Sequence, residues 1–175
     1  AIDKSQIVAV GIGLQHAPQF KSFHKFDLKG KTVIPGLVDA HTHIYFFAES
    51  LGRVSLQGLD SLEACLKRIK KYADTLPQNA WVLGEGYSVD AFKMKTAPDR
   101  TSLDRVTSGR PAFIFSKDEH SVWANSKALE LAGVNRQSPD PAGGRIERNQ
   151  LGEPTGILRE GPAFNPLYKI IPSSD

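Results

Sequence analysis

Cysteine is nearly absent from this chain: Cys65 is the only one among 175 residues. A single cysteine excludes an internal disulfide framework and fits a reducing compartment, so a cytoplasmic protein is expected. Long apolar runs are missing too. The longest, Ile44 to Ala48 and Ala112 to Phe115, fall far short of the roughly 20 residues that a membrane span requires. No secretory signal is visible, and no membrane partner is expected. Gly11-Ile12-Gly13 is followed by His16 where a dinucleotide-binding loop needs its third glycine, and Gly84-Glu85-Gly86 fails in the same way at Val89. No Gly-x-Ser-x-Gly elbow is present for a serine hydrolase. Neither sign of charge dominates, with a net charge of +3 and mixed signs along the chain. Lys67, Arg68, Lys70 and Lys71 form the one dense basic cluster. They lie mostly opposite the apolar stripe of a predicted helix, with no interleaved aromatics, so a solvated face is expected rather than a nucleic-acid surface.

What remains is an ordinary globular composition, 40% hydrophobic and 23% charged, sufficient for a real core. The clearest helix runs from Ser61 to Leu76. Leu62, Cys65, Leu66, Ile69, Tyr72, Ala73 and Leu76 fall at helical spacing, Asp60 with Glu63 offers a capping box, and Pro77 ends it. Cys65 lies on its apolar face and reads as a small buried hydrophobe rather than a nucleophile. Trp81 to Gly86 and Pro111 to Ser116 read as strands around a short helix, Thr101 to Val106, capped near Asp99 or Thr101. Asn125 or Ser126 caps another, Lys127 to Ala132, with Gly133 filling its left-handed C-terminal position. Gly143 to Arg148 and Thr155 to Glu160 bracket a turn-rich link, Asn149 to Pro154, that suits a hairpin. Strands alternating with helices predict βαβ units and a parallel sheet.

The stretch that organises the chain is Val33 to His43. Its apolar residues Leu37, Val38, Ala40 and, just beyond, Ile44 suit a strand buried in a parallel sheet. A strand places alternate side chains on one face, so His41 and His43 point the same way, roughly 6.6 Å apart, with Asp39 behind them. Two imidazoles at a strand end read as half of a metal site. Strand histidines that only hydrogen-bond are the alternative.

The context of that pair carries a resemblance. Asp27-Leu28-Lys29-Gly30-Lys31, Val33-Ile34-Pro35-Gly36 and Val38-Asp39-Ala40-His41-Thr42-His43 closely resemble the opening of the amidohydrolase superfamily. Thr96-Ala97-Pro98-Asp99, Asp118 to Leu129, Gly143-Gly144-Arg145-Ile146 and Gly152 to Glu160 look like successive blocks of its amidohydrolase family 3 branch, which includes N-substituted formamide deformylase. The resemblance covers nearly the whole chain. It implies an α/β fold: an incomplete β-sandwich segment over residues 1–36, then over 37–175 the first βα units of a (β/α)8 metal-dependent hydrolase barrel with the family's inserted segment.

It further implies one or two Zn²⁺ ions, with His41 and His43 as ligands and Glu160 as the acidic ligand that bridges two metals. Lys117 is the rival for that bridging place, and Glu160 pairing at the surface with Arg159 or Arg145 is the structural alternative. His120, Trp123 and Asn125 are the candidate substrate-binding residues. A loop role for His120, and capping or packing for Trp123 and Asn125, explain them equally well. No histidine follows His120, so the two ligands the resemblance implies from later strands have no counterpart here, and neither does the aspartate near the last strand that acts as base; no catalytic residue is identified. A complete barrel takes roughly 250 residues. The implied protein is the N-terminal part of a longer hydrolase acting on C–N bonds of a small amide or formamide substrate, with self-association through an open barrel edge. The alternative is a truncated, non-catalytic module with a binding or regulatory role.

Overall fold

The computed structural model describes residues 1–34, 36–39, 48–94 and 97–172. The chain divides into two compact units, Ala1–Thr42 and His43–Asp175.

The first unit holds a small antiparallel hairpin, β1 (Ile2–Asp3) and β2 (Gln6–Ile7), with Ile2 opposite Ile7. Further on, the Lys29 amide donates to Asp27 Oδ1 at 2.8 Å, closing a turn at Lys29-Gly30. No described residue of this unit is buried. The sequence expectation of a buried strand beginning at Leu37 is corrected here: residues 36–39 form no strand, and Leu37 and Val38 are 91% and 88% exposed. Apolar composition specifies a strand only where a neighbouring strand pairs its backbone, and among the described residues none does. His41 and His43 lie outside the described residues.

The second unit is built on a six-stranded sheet: β3 (Val54–Ser55), β4 (Val82–Tyr87), β5 (Ala112–Ser116), β6 (Ser121–Ala124), β7 (Arg145–Arg148) and β8 (Pro154–Arg159), in the order β3-β4-β5-β6-β8-β7. The first three are parallel, as the alternation of strands and helices predicts. From β5 onward every pairing is antiparallel, so the sheet is mixed rather than wholly parallel. β6 went unread in the sequence because four residues beside a turn carry no usable periodicity.

Among the described residues four α-helices accompany the sheet. In α1 (Leu62–Ala73) the cap is Ser61, whose side chain accepts from the Ala64 amide, one residue later than the expected Asp60. α2 (Arg100–Asp104) starts from a complete capping box between Asp99 and Ser102. α3 (Ser126–Leu131) is capped by Asn125, and α4 is Gly161–Tyr168. Alternate residues of the strands feed two cores. Ile114, Trp123 and Ile157 pack with Cys65, Ile69 and Ala73 of α1 and Leu103 of α2 on one face. Phe113, Val122 and Leu158 pack with Leu129 of α3 and Leu167 of α4 on the other. Cys65 is fully buried in the first core, and burial pushes its thiol up to about 11, which makes it an inert hydrophobe. No described helix is long and apolar enough to cross a membrane.

Candidate functional site

The C-terminal ends of parallel β4 and β5 open toward one region, where α/β sheets commonly place their chemistry. β4 reaches it through a bulge. Gly84 pairs with Ile114 and Tyr87 with Ser116, so three steps along β4 match two along β5. The extra residue reverses the alternation beyond Gly84 and returns Tyr87 to the face of Val82 and Ile114. Gly86 makes this possible: its φ is +88°, and a Cβ there would stand 2.6 Å from Gln57 Cγ. Tyr87 is 3% exposed, with its ring edge-on to Trp123 at 5.8 Å between centroids.

The β5–β6 connection forms the next wall. Ser116 Oγ donates to Asp118 Oδ1 at 2.5 Å and accepts from the Ser121 amide at 3.0 Å, while the His120 amide donates to Asp118 Oδ1 at 3.1 Å. The Ser116 hydroxyl, opposed by partial burial and helped by the His120 amide, holds the Asp118 carboxyl below its ordinary range. The Lys117 amide donates to Tyr87 O at 2.8 Å, fastening the turn to β4. β7 and β8 supply the last wall, where Arg159 Nε donates to Glu147 Oε1 at 2.6 Å. These elements enclose a cavity of about 580 Å³, lined by Tyr87, Lys117, Asp118, Glu147 and Arg159, with an apolar side of Val89, Pro98 and Ile157.

Beside it, at the end of β8, Glu160 has φ 65° and ψ 154°, a region that costs a non-glycine residue about 1–3 kcal/mol. Its amide donates to His120 O at 2.8 Å and its carboxylate Oε2 meets His120 Nδ1 at 3.0 Å. Glu160 stands at the start of α4, yet its side chain makes no cap. The Glu160 carboxylate draws the pKa of exposed His120 upward.

Of the residues singled out in the sequence, His120 and Glu160 are brought together, and Lys117 lines the cavity. The Glu160 carboxylate pairs with His120 rather than with Arg159 or Arg145, the surface partners the sequence offered; Arg159 pairs with Glu147. Trp123 and Asn125 are not among the residues lining the cavity, and the contacts they make are those of packing and capping. Trp123 is fully buried with its indole N–H donated to Asp99 O at 2.8 Å. Asn125 Oδ1 accepts from the amides of Ala112 and Ala128, and Nδ2 donates to Thr107 Oγ1 and Arg110 O. Sequence reading missed Tyr87, Glu147 and Arg159. Two glycines inside a strand, Gly84 and Gly86, are the signal that pointed to a bulge and so to Tyr87.

Among the described residues no group of three or more His, Cys, Asp or Glu side chains is placed to hold a metal ion.

Comparison with known proteins adds the wider setting. A family model described as the amidohydrolase family matches residues 25–175. The chain is 37% identical over 139 residues to N-substituted formamide deformylase of Arthrobacter pascens, covering 78% of this chain and 26% of that protein. It is 35% identical over 148 residues to putative amidohydrolase YtcJ of Bacillus subtilis, covering 85% of this chain and 28% of that protein. A crystal structure of an uncharacterised metal-dependent hydrolase from Pyrococcus horikoshii superposes with a TM-score of 0.54 at 27% identity, over 76% of this chain and 23% of the other. The chain thus spans about a quarter of the length of these relatives.

Proposed function

Because the chain belongs to the amidohydrolase family, we propose that it forms the N-terminal part of a divalent-metal-dependent hydrolase that cleaves C–N bonds of the amide or formamide type. The observation that carries this reading is the family match itself, whose span of residues 25–175 takes in both the His41–His43 pair and Glu160. The named relatives, a formamide deformylase and a putative amidohydrolase, support the bond type. The parallel β3-β4-β5 edge corresponds in this reading to the first units of a (β/α)8 barrel, and residues 1–36 to part of a flanking β-sandwich.

A divalent ion, in this proposal zinc, which imidazole ligands suit among others, would supply Lewis-acid polarisation of a scissile carbonyl and lower the pKa of a bound water. His41 and His43 are its first ligands in this proposal. Glu160 is the acidic one, held in a strained backbone position and turned toward His120 rather than toward the helix it precedes; Lys117 is its rival. Among the described residues no third His, Cys, Asp or Glu side chain joins Glu160 and His120 in a group that could hold a metal ion.

Elemental analysis of the purified 175-residue chain and of a His41→Ala, His43→Ala double variant tests the metal. Zinc retained by the chain and lost from the double variant is expected; no zinc in the chain, or zinc undiminished in the variant, overturns the assignment. N-formyl and N-acyl substrates should turn over no faster than background with this chain alone. Robust turnover that vanishes in His41→Ala would refute the incompleteness of the site.

A further inference from the structure

We infer that the aromatic cluster between β5 and α4 is a binding site for a small organic cation of the alkylammonium type, with Glu119 as its counter-ion. A cavity of about 240 Å³ opens there, lined by Arg53, Phe115, Glu119, Phe164, Asn165 and Tyr168. It shares no lining residue with the cavity at Tyr87, because Phe115 packs with the second core, on the face of β5 opposite Ile114. Phe164 and Tyr168 stand one turn apart on α4 and so present their rings on the same side of the helix. Phe115 meets Phe164 edge-on at 5.6 Å between centroids and Tyr168 at 6.4 Å.

The wall already holds one cation against a ring: Arg53 Cζ lies 5.4 Å from the Phe115 centroid. Two carboxylates neutralise that guanidinium, Glu49 at 3.2 Å and Glu85 at 3.9 Å, and the Tyr168 hydroxyl donates to Glu49 Oε2 at 3.4 Å. The charge left over is Glu119, whose carboxylate forms no hydrogen bond or ion pair among the described residues. Its backbone stands at φ 62°, a region that a non-glycine residue keeps only where its surroundings enforce it, and its amide donates to Ser116 O at 3.1 Å. Three carboxylates thus stand against one guanidinium beside rings whose faces are negative. An anion is repelled by both, and a neutral apolar molecule gains nothing from Glu119. An alkylammonium satisfies both, its charge meeting Glu119 and its methyl groups the rings. The volume suits a ligand smaller than a drug-sized molecule. This inference does not rest on the hydrolase reading.

The experiment is calorimetric titration of the 175-residue chain with tetramethylammonium and with tert-butanol, which has nearly the same shape and no charge. The cation is expected to bind at millimolar concentration or below, and at least about ten-fold more tightly than the alcohol. Glu119→Gln should weaken the cation about five-fold, as a solvent-exposed charge pair implies, and leave the alcohol unchanged. Phe164→Leu, which keeps an apolar side chain on α4, should weaken the cation about three-fold. Glu119 is exposed, so an unaltered melting temperature in Glu119→Gln separates lost binding from lost structure even where Phe164→Leu fails to fold. Nuclear Overhauser contacts from the ligand methyl protons to the rings of Phe164 and Tyr168 are expected to locate the site. Equal affinity for cation and alcohol, no cation binding at millimolar concentration, undiminished binding in Glu119→Gln, or Overhauser contacts elsewhere overturns the inference.

Discussion

The two ends of the central sheet are built on opposite terms. At the N-terminal end of β5, polar groups are buried and satisfied. Asn125 makes four hydrogen bonds, and Arg110, 7% exposed, donates from Nε to Pro77 O at 2.9 Å and from Nη2 to Leu76 O at 2.8 Å, tying down the end of the α1 segment. At the C-terminal end the same sheet has two non-glycine residues, Glu119 and Glu160, at φ 62° and 65°, against one, Ser108 at φ 53°, before β5. Saturated hydrogen bonding holds a fold together. Strain lowers stability, and it persists where the surroundings enforce it.

That contrast predicts opposite signs for substitutions at the two ends. Asn125→Ala should show the largest effect, a loss of about 3–5 kcal/mol, because it removes the α3 cap and leaves the Ala112 amide and the Arg110 carbonyl buried without partners. Urea unfolding measures it, and a loss below about 1 kcal/mol would break the distinction. Glu160→Gly should do the reverse. Release of about 1–3 kcal/mol of strain, offset by about 0.5–1 kcal/mol of added backbone entropy in the unfolded chain, leaves the variant about 1 kcal/mol more stable. The same variant should lose whatever Glu160 does for metal or substrate. Destabilisation would mean that the strain is only apparent and that the His120 contact outweighs it.

Sequence reading succeeded where the rules are local. The caps at Asp99 and Asn125, the left-handed Gly133, the apolar face of α1 and the β7–β8 hairpin all depend on residues within a turn or two. It failed where pairing partners are distant. Nothing local in Ser121-Val122-Trp123-Ala124 says that these residues lie antiparallel between β5 and β8. Neither does anything local in the sequence say that the apolar side chains of Val33, Ile34, Leu37 and Val38 stay exposed. The site was half readable for the same reason. Glu160 and His120 stand out by residue type, but their meeting across forty positions of sequence follows from the register of β6 on β8, in which Ser121 opposes Arg159. Tyr87 was missed because one extra residue in β4 decides which way it faces.

The smallest expected effect probes whether the C-terminal end is held by polar contacts at all. The Ser116 hydroxyl, against the opposing influence of partial burial and with help from the His120 amide, keeps the Asp118 carboxyl below its ordinary value of 3.8. A carboxyl whose pKa is lower in the folded than in the unfolded chain contributes stability that is complete above the unfolded value and is lost as pH falls through the folded one. The stability advantage of the native chain over Asp118→Asn should therefore be constant from neutral pH down to about pH 5 and shrink between about pH 4 and the lower folded value. Carbon-detected NMR of the Asp118 carboxyl follows the titration directly, and Ser116→Ala should return it toward the ordinary value. An Asp118 that titrates normally in the native chain would mean that the turn carrying Lys117 is positioned by its backbone alone. The cavity would then owe its shape to the β4 bulge and the Lys117 amide bond to Tyr87, and not to the serine–aspartate contact.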